Sequence, residues 1–347
     1  MAARRAHLVG SLPGPDPRTA MTNALAVLGP YLRSLPDGET GVRNNWVQAP
    51  IEGLRHHPDL ELLADPDLLP GRGRPGQDHN TRLRVRRGHR LFGASLDFGH
   101  VAAAADTYPL FEELTAGRDD LVFQQGLPGP FDMAALTLGP AGGLRQLRAF
   151  TEATLTEIRD IRRIAGPSTL FQIEVPLELV LLARAPAPAR RPLARLLARN
   201  VTRLAAAAPT GTRFAVHLSV RDQDHRALVT PGDVTPLVLL ANEIVDQWPH
   251  INPLVLLHAP FAAAELPAST ETSFIAPLRH LRLPAETAFA AGFAHEAQAL
   301  GDQVQIRNRT EDLLGREVVV AAACGLGRRP DADGSAVLER MAQLGVA

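Results

Sequence analysis

Glu317-Val-Val-Val-Ala-Ala-Ala-Cys324-Gly-Leu-Gly-Arg-Arg-Pro330 is the stretch on which the reading of this 347-residue chain turns. Val318 to Cys324 are all small or β-branched and apolar, the pattern of a strand buried on both faces. The run ends in the sole cysteine of the chain, and glycines, arginines and a proline then break it into a polar loop. A thiol at the C-terminal mouth of a buried strand is where parallel α/β barrels place chemistry. A free cysteine is also an ordinary small apolar packing residue.

Working outward, the same kind of run recurs. His7–Pro13, Leu32–Pro36, Leu121–Gly126, Thr169–Val175, Arg213–Ser219, Pro253–His258 and Thr287–Ala294 are short apolar stretches closed by turn residues. Between them lie segments with helical spacing: Pro15–Leu32, His100–Glu113 with an interruption at Pro109, Gly142–Ala165, an Arg/Ala/Leu-rich region through Ala208, Pro231–Val245 and Glu296–Leu314. With Val318–Cys324 this makes eight strands alternating with helices, which predicts a parallel sheet with right-handed crossovers. Eight units in this length fit a (β/α)₈ TIM barrel, read as a single domain over residues 1–347. Residues 43–92 are polar and rich in Pro, Gly and Arg. They predict a loop-rich insertion, with a hairpin in Thr81–Phe92 and Trp46 as a packing residue.

Composition narrows the partners. A net charge of −1 gives no electrostatic case for nucleic acid or an anionic membrane. All 36 basic residues are arginine, so no lysine Schiff base or P-loop lysine is available. One cysteine excludes an internal disulfide or a multi-cysteine cluster within the chain. No signal-peptide core and no 18-residue apolar window is present, and the expected location is the cytoplasm.

In such a barrel the active site draws on the strand ends. They carry Gly10-Ser11, Asp37-Gly-Glu39, Gln124-Gln125, Glu174, His217 with Ser219, His258, His295 and Cys324. His217, His258 and Cys324 are good zinc ligands, and three ligands with one open position is the usual catalytic arrangement. As rim histidines, the first two would instead be hydrogen-bonded. The loop containing Asp222, Asp224 and His225 offers a general acid or base, or is simply a solvated polar loop. A carboxylate framed by apolar residues, as Glu174 is, needs a cation, an amine or an arginine beside it. His56-His57, Asp78-His79 and His89 fall in the loop-rich insertion, where the adjacent pair His56-His57 reads as exposed and not as ligands.

These residues, in this order, resemble the catalytic half of cobalamin-independent methionine synthase, within the uroporphyrinogen decarboxylase/methionine synthase-like barrels. His7-Leu-Val-Gly-Ser-Leu-Pro13 resembles that family's opening strand, and Asp37-Gly-Glu39-Thr-Gly-Val-Arg43 its Gly-Glu-x-x-Arg stretch. Gln172-Ile-Glu174-Val-Pro176 is similar to its Gln-Ile-Asp-Glu-Pro strand. Cys324-Gly-Leu-Gly-Arg-Arg is similar to its Cys-Gly-Leu-x-x-Arg motif. The resemblance implies substrate contacts at Gly10, Ser11, Glu39, Arg43 and Glu174; by position at the strand ends and loops, Gln125 joins them, and Asp222, Asp224, His225 and His295 are the candidates for acid–base work. It implies zinc at His217, His258 and Cys324, with Ser219 standing where the family has a second cysteine and His258 where it has a glutamate.

Transfer of a methyl or other alkyl group to a thiol or similar nucleophile is the implied activity, with zinc and a folate-type donor as the implied cofactors. The departures at Ser219 and His258 argue against ordinary methionine synthesis. A metal-free lyase or decarboxylase acting on a small carboxylated molecule is the alternative enzyme. A barrel that binds a small molecule without turning it over is the third reading. The oligomeric state stays open, a homodimer included.

Overall fold

A computed structural model describes residues 3–45, 47–63, 82–220, 222–223, 226–227, 229 and 232–347. Eight parallel strands lie where the apolar runs predict them: β1 (Ala6–His7), β2 (Ser34–Pro36), β3 (Val122–Pro128), β4 (Leu170–Glu174), β5 (Arg213–His217), β6 (Leu254–Pro260), β7 (Ala288–Ala294) and β8 (Val319–Ala322). Hydrogen-bonded neighbours run β1–β8–β7–β6–β5–β4–β3–β2, every pair parallel. This order brings the last strand beside the first, so the sheet curls into a nearly closed (β/α)₈ barrel with helices outside. At the seam Leu12 N–H donates to Gly38 O at 3.1 Å. Gln124 Nε2, reaching over from β3, donates to Leu8 O at 2.8 Å.

Alternation along each strand divides the apolar residues between two cores. Phe123, Phe171, Phe214 and Phe289 point outward and pack under the helices. Leu170, Ala215, Leu256, Ala290, Val319 and Ala321 point inward and plug the barrel floor. The inward set is mostly small because an eight-stranded barrel has room for little more than its own side chains.

Several predicted boundaries are corrected. β1 is two residues long, and Leu8–Pro13 is loop. Helix His100–Leu114 runs unbroken past Pro109, which lies on its exposed side, as does Ala105, whose carbonyl loses its usual helical donor there. The segment read as starting at Gly142 begins at Pro130, with a break at Gly139, where φ is 73°. Asp331–Val346 forms a C-terminal helix that the sequence reading omits. The 43–92 insertion is not bare loop. Helix Gln48–Gly53 and an antiparallel ribbon of Leu60–Leu62 with Leu83–Val85 pack a small core onto Met133, Ala149 and Phe150. The hairpin expected within Thr81–Phe92 is therefore a pairing between segments on either side of residues 64–81. Trp46, Asp78 and His79 lie outside the described residues. Trp248 packs edge-on to Phe214, with its indole N–H on Asn252 O at 2.7 Å.

Candidate active site at the barrel mouth

Above the apolar floor, the inward positions become polar. Gln124 on β3, Gln172 on β4, His217 on β5, His258 on β6 and His7 on β1 are all buried. Barrel interiors are usually filled by branched apolar residues, and buried polar groups persist only when hydrogen-bonded. Here they form a network. Ser34 Oγ–H donates to Gln124 Oε1 at 2.6 Å, His7 Nε2–H donates to Gln172 Oε1 at 2.9 Å, and the Gln172 amide donates to Val9 O.

The histidine tautomers follow from one carbonyl. Ala322 O can only accept, so His258 Nε2, 2.8 Å away, carries a proton. In a neutral ring His258 Nδ1 is then an acceptor, and His217 Nδ1–H donates to it at 2.6 Å. His217 Nε2 is left as a buried lone pair without a hydrogen-bond partner among the described residues. Neutral rings are what the surroundings dictate. Burial lowers His258 to about 3, with His7 adding to the effect, and burial lowers His7 to about 4. His217 is pushed well below its ordinary value by burial and by the two neighbouring rings.

This geometry does not gather the three-ligand site expected at His217, His258 and Cys324. Among the described residues no group of three or more His, Cys, Asp or Glu side chains is arranged to hold a metal ion. Both His258 nitrogens are engaged, and Cys324 lies two residues beyond β8, half-buried. Ser219 supplies a hydroxyl where a thiolate would bind zinc well. The residues present do not fit zinc.

A second constellation follows β2. The chain turns sharply through Gly38 at φ +90° and Glu39 at φ +33°, a left-handed conformation that is unfavourable for a residue with a side chain. The turn delivers Glu39 to the mouth, between two glycines that leave space for its carboxylate. A Cβ at Gly10 would lie 2.9 Å from Glu39 Oε2. A Cβ at Gly126 would lie 2.8 Å from Glu39 Oε1 and 3.6 Å from Glu174 Oε1. Two carboxylates therefore overhang the same backbone position. Burial raises the Glu39 pKa to about 7, helped by the negative charge of Asp37, while Arg43, His100 and Arg328 pull it down.

Around Glu39 the supporting residues are themselves held. Asp37 is fully buried, and accepts from the Arg43 guanidinium and from Gln125 Nε2 at 3.0 Å. Arg43 and Gln125, expected as substrate contacts, thus hold Asp37, although Arg43 also lines the cavity beside Glu39. That cavity, about 170 Å³, is bounded by Glu39, Arg43, Pro50, Phe98 and His100. His100 Nδ1 is 3.0 Å from Glu157 Oε2. Burial works against its charged form, but the Glu157 charge and hydrogen bond outweigh that and raise its pKa.

The loop after β8 closes onto β1. Leu326 and Gly327 N–H groups donate to Ser11 O at 2.7 and 3.1 Å, and Gly327 N–H also reaches Ser11 Oγ at 3.3 Å. A Cβ at Gly325 would lie 2.5 Å from Ser11 Oγ, so glycine is needed there. Ser11, expected to hold a substrate carboxylate, accepts these loop bonds instead. His295 is likewise committed: Ala297 N–H donates to its Nδ1 and Nε2–H donates to Ala264 O, both at 3.1 Å. Nδ1 also lies 3.2 Å from Glu296 Oε2, so each ring nitrogen already meets a protein group and the ring braces this loop. The Asp222–Gln223 backbone pairs antiparallel with Arg226–Ala227, while Asp224 and His225 lie outside the described residues.

Sequence reasoning placed Gln124 at a strand end and Gln172 in a motif but gave no role to either, nor to His100, Glu157 or Arg328. Gln124 and Gln172 sit in apolar strands with their inward direction set by register, which was the usable signal. His100 and Glu157 meet only through helix packing.

No family model matches the sequence, and no curated protein matches it. Solved structures do. A provisionally assigned vitamin-B12-independent methionine synthase from Listeria monocytogenes superposes with a TM-score of 0.60 at 11% identity, over 100% of this chain and 98% of that one. A B12-independent methionine synthase from Shewanella sp. W3-18-1, in complex with selenomethionine, gives 0.59 at 11% identity, over 99% and 97%. At that identity the likeness is one of fold: the chain is a (β/α)₈ barrel of the same architecture as these methionine synthase structures.

Proposed function

We propose that the protein is a group-transfer enzyme of methionine-synthase-like barrel type, moving a methyl or other alkyl group onto a small amine-bearing substrate. The observation that carries the reading is the pair of carboxylates, Glu39 and Glu174, overhanging Gly126. An ammonium group placed there is attracted by both, and its charge favours the ionised form of Glu39. In the substrate-free site this carboxyl titrates at about 7, and the bound ammonium leaves it as the carboxylate, the form that accepts a proton. Glu39 takes the proton that the nucleophile, a thiol or amine, loses as it attacks the alkyl carbon. The leaving group departs with the electrons of the broken bond. His217 and His258, neutral and poorly basic, serve as hydrogen-bonding groups in this scheme.

A metal-free lyase or decarboxylase is the second reading, favoured by the engaged nitrogens of His258. To test the first, cysteine as an amino thiol is offered with a methylated folate or a methyl sulfonium, and methylated product is followed by mass spectrometry. Product that disappears in Glu39→Gln supports transfer. Binding of the amino thiol with neither donor consumed points to a barrel that binds without turnover.

A further inference from the structure

We propose that the substrate also carries an uncharged alkyl or aryl group, seated in a separate apolar cavity at the same end of the barrel. This rests on the reading above only in assigning both cavities to one molecule. The polar cavity beside Glu39, about 170 Å³, holds about six water-sized groups, enough for an amino head and little else. The second cavity is about 440 Å³, within the range of small-molecule sites.

Its walls come from the segments that follow the site strands. Leu179 is on helix Pro176–Arg184, which starts two residues after Glu174. Val220 lies three residues past His217 and β5, and Phe261 directly follows β6, the strand of His258. Val234, Leu237 and Phe274 complete the apolar wall, tied together by Val234 N–H on Phe274 O at 3.1 Å. Among the described lining residues the polar side chains are Asp233, whose Oδ1 accepts from Thr235 N–H at 2.8 Å, and Ser269. With only these two polar side chains in a wall that is otherwise apolar, dispersion and water release favour an apolar ligand.

The test is calorimetric titration of 1-alkanols from butanol to octanol, probes without an amine, into the full chain. Binding should tighten roughly three- to fourfold per methylene. Leu266→Glu, at the rim where Leu266 is 47% exposed, should flatten that gain. Phe274→Ala, a second and chemically different change, should weaken octanol binding several-fold. A flat chain-length series in the wild type, or a gain that both variants leave intact, overturns the proposal. So does octylamine that keeps its full affinity in both variants, because the cavity then does not serve the amine-bearing substrate. Short alkylamines binding no better than alkanols would instead remove the Glu39 reading and leave the cavity assignment standing.

Discussion

His217 and His258 face one another from neighbouring strands with their Nδ1 atoms 2.6 Å apart, a proton on the His217 side fixed by the Ala322 carbonyl beyond His258. His258→Ala removes the acceptor, leaves a buried N–H unpaired and opens a cavity. The expected loss of stability is about 2–4 kcal/mol, read by urea unfolding. A loss below roughly 0.5 kcal/mol would mean the pair does not exist as described.

The same pair depends on Gly292, where a Cβ would lie 2.9 Å from both His258 Nε2 and Ala322 O. Gly292→Ala should break the His258–Ala322 bond and cost about 1–3 kcal/mol. Circular dichroism melts of the variant and wild type check this, and an unchanged melting temperature would contradict it.

Zinc content follows from the engaged nitrogens. The purified protein should carry less than about a third of an equivalent, with an unchanged melting temperature after chelation. A full equivalent, with a melting temperature that falls on chelation, would show that the histidines separate to bind metal.

Arg43 balances a fully buried Asp37. Arg43→Gln leaves that charge uncompensated and should destabilise the fold by about 3–5 kcal/mol, most of it recovered in the double variant with Asp37→Asn. If the double variant unfolds as readily as the single one, the pairing is not what Arg43 contributes.

Glu39 makes stability depend on pH. The folded protein keeps this proton up to about 7, whereas an ordinary glutamate releases it near 4.5. Between those values the folded state binds more protons than the unfolded one, so stability falls as pH rises and the full contribution is present only below 4.5. Glu39→Gln should therefore stabilise the substrate-free protein by roughly 3 kcal/mol at pH 8 and by almost nothing at pH 4. Unfolding curves at the two pH values measure it, and a gain of equal size at both would rule out the raised pKa.

The strands are legible in the sequence because runs buried on both faces, such as Val318–Ala323 and Thr287–Ala294, need little from outside to declare themselves. The mouth is legible only in part. His217, His258, Glu39 and Glu174 stand out as chemistry-bearing residues in apolar or turn-rich frames, but their partners do not. Of the adjacent Gln124 and Gln125, only the register shows that Gln124 enters the barrel and Gln125 reaches Asp37. Nothing local tells that Ser11 braces the Cys324–Arg328 loop, or that helix packing brings Glu157 to His100. The two histidines have zinc-ligand chemistry in sequence, and the Ala322 carbonyl redirects it.

The most direct test of a carboxylate-centred, metal-free mouth is calorimetric titration of a short alkylamine into chelator-treated protein between pH 6 and 8. With Glu39 ionising at about 7, affinity should rise about tenfold across that interval, and Glu39→Gln should bind weakly with no pH dependence. Affinity that is flat with pH, or that vanishes once metal is removed, would contradict the account.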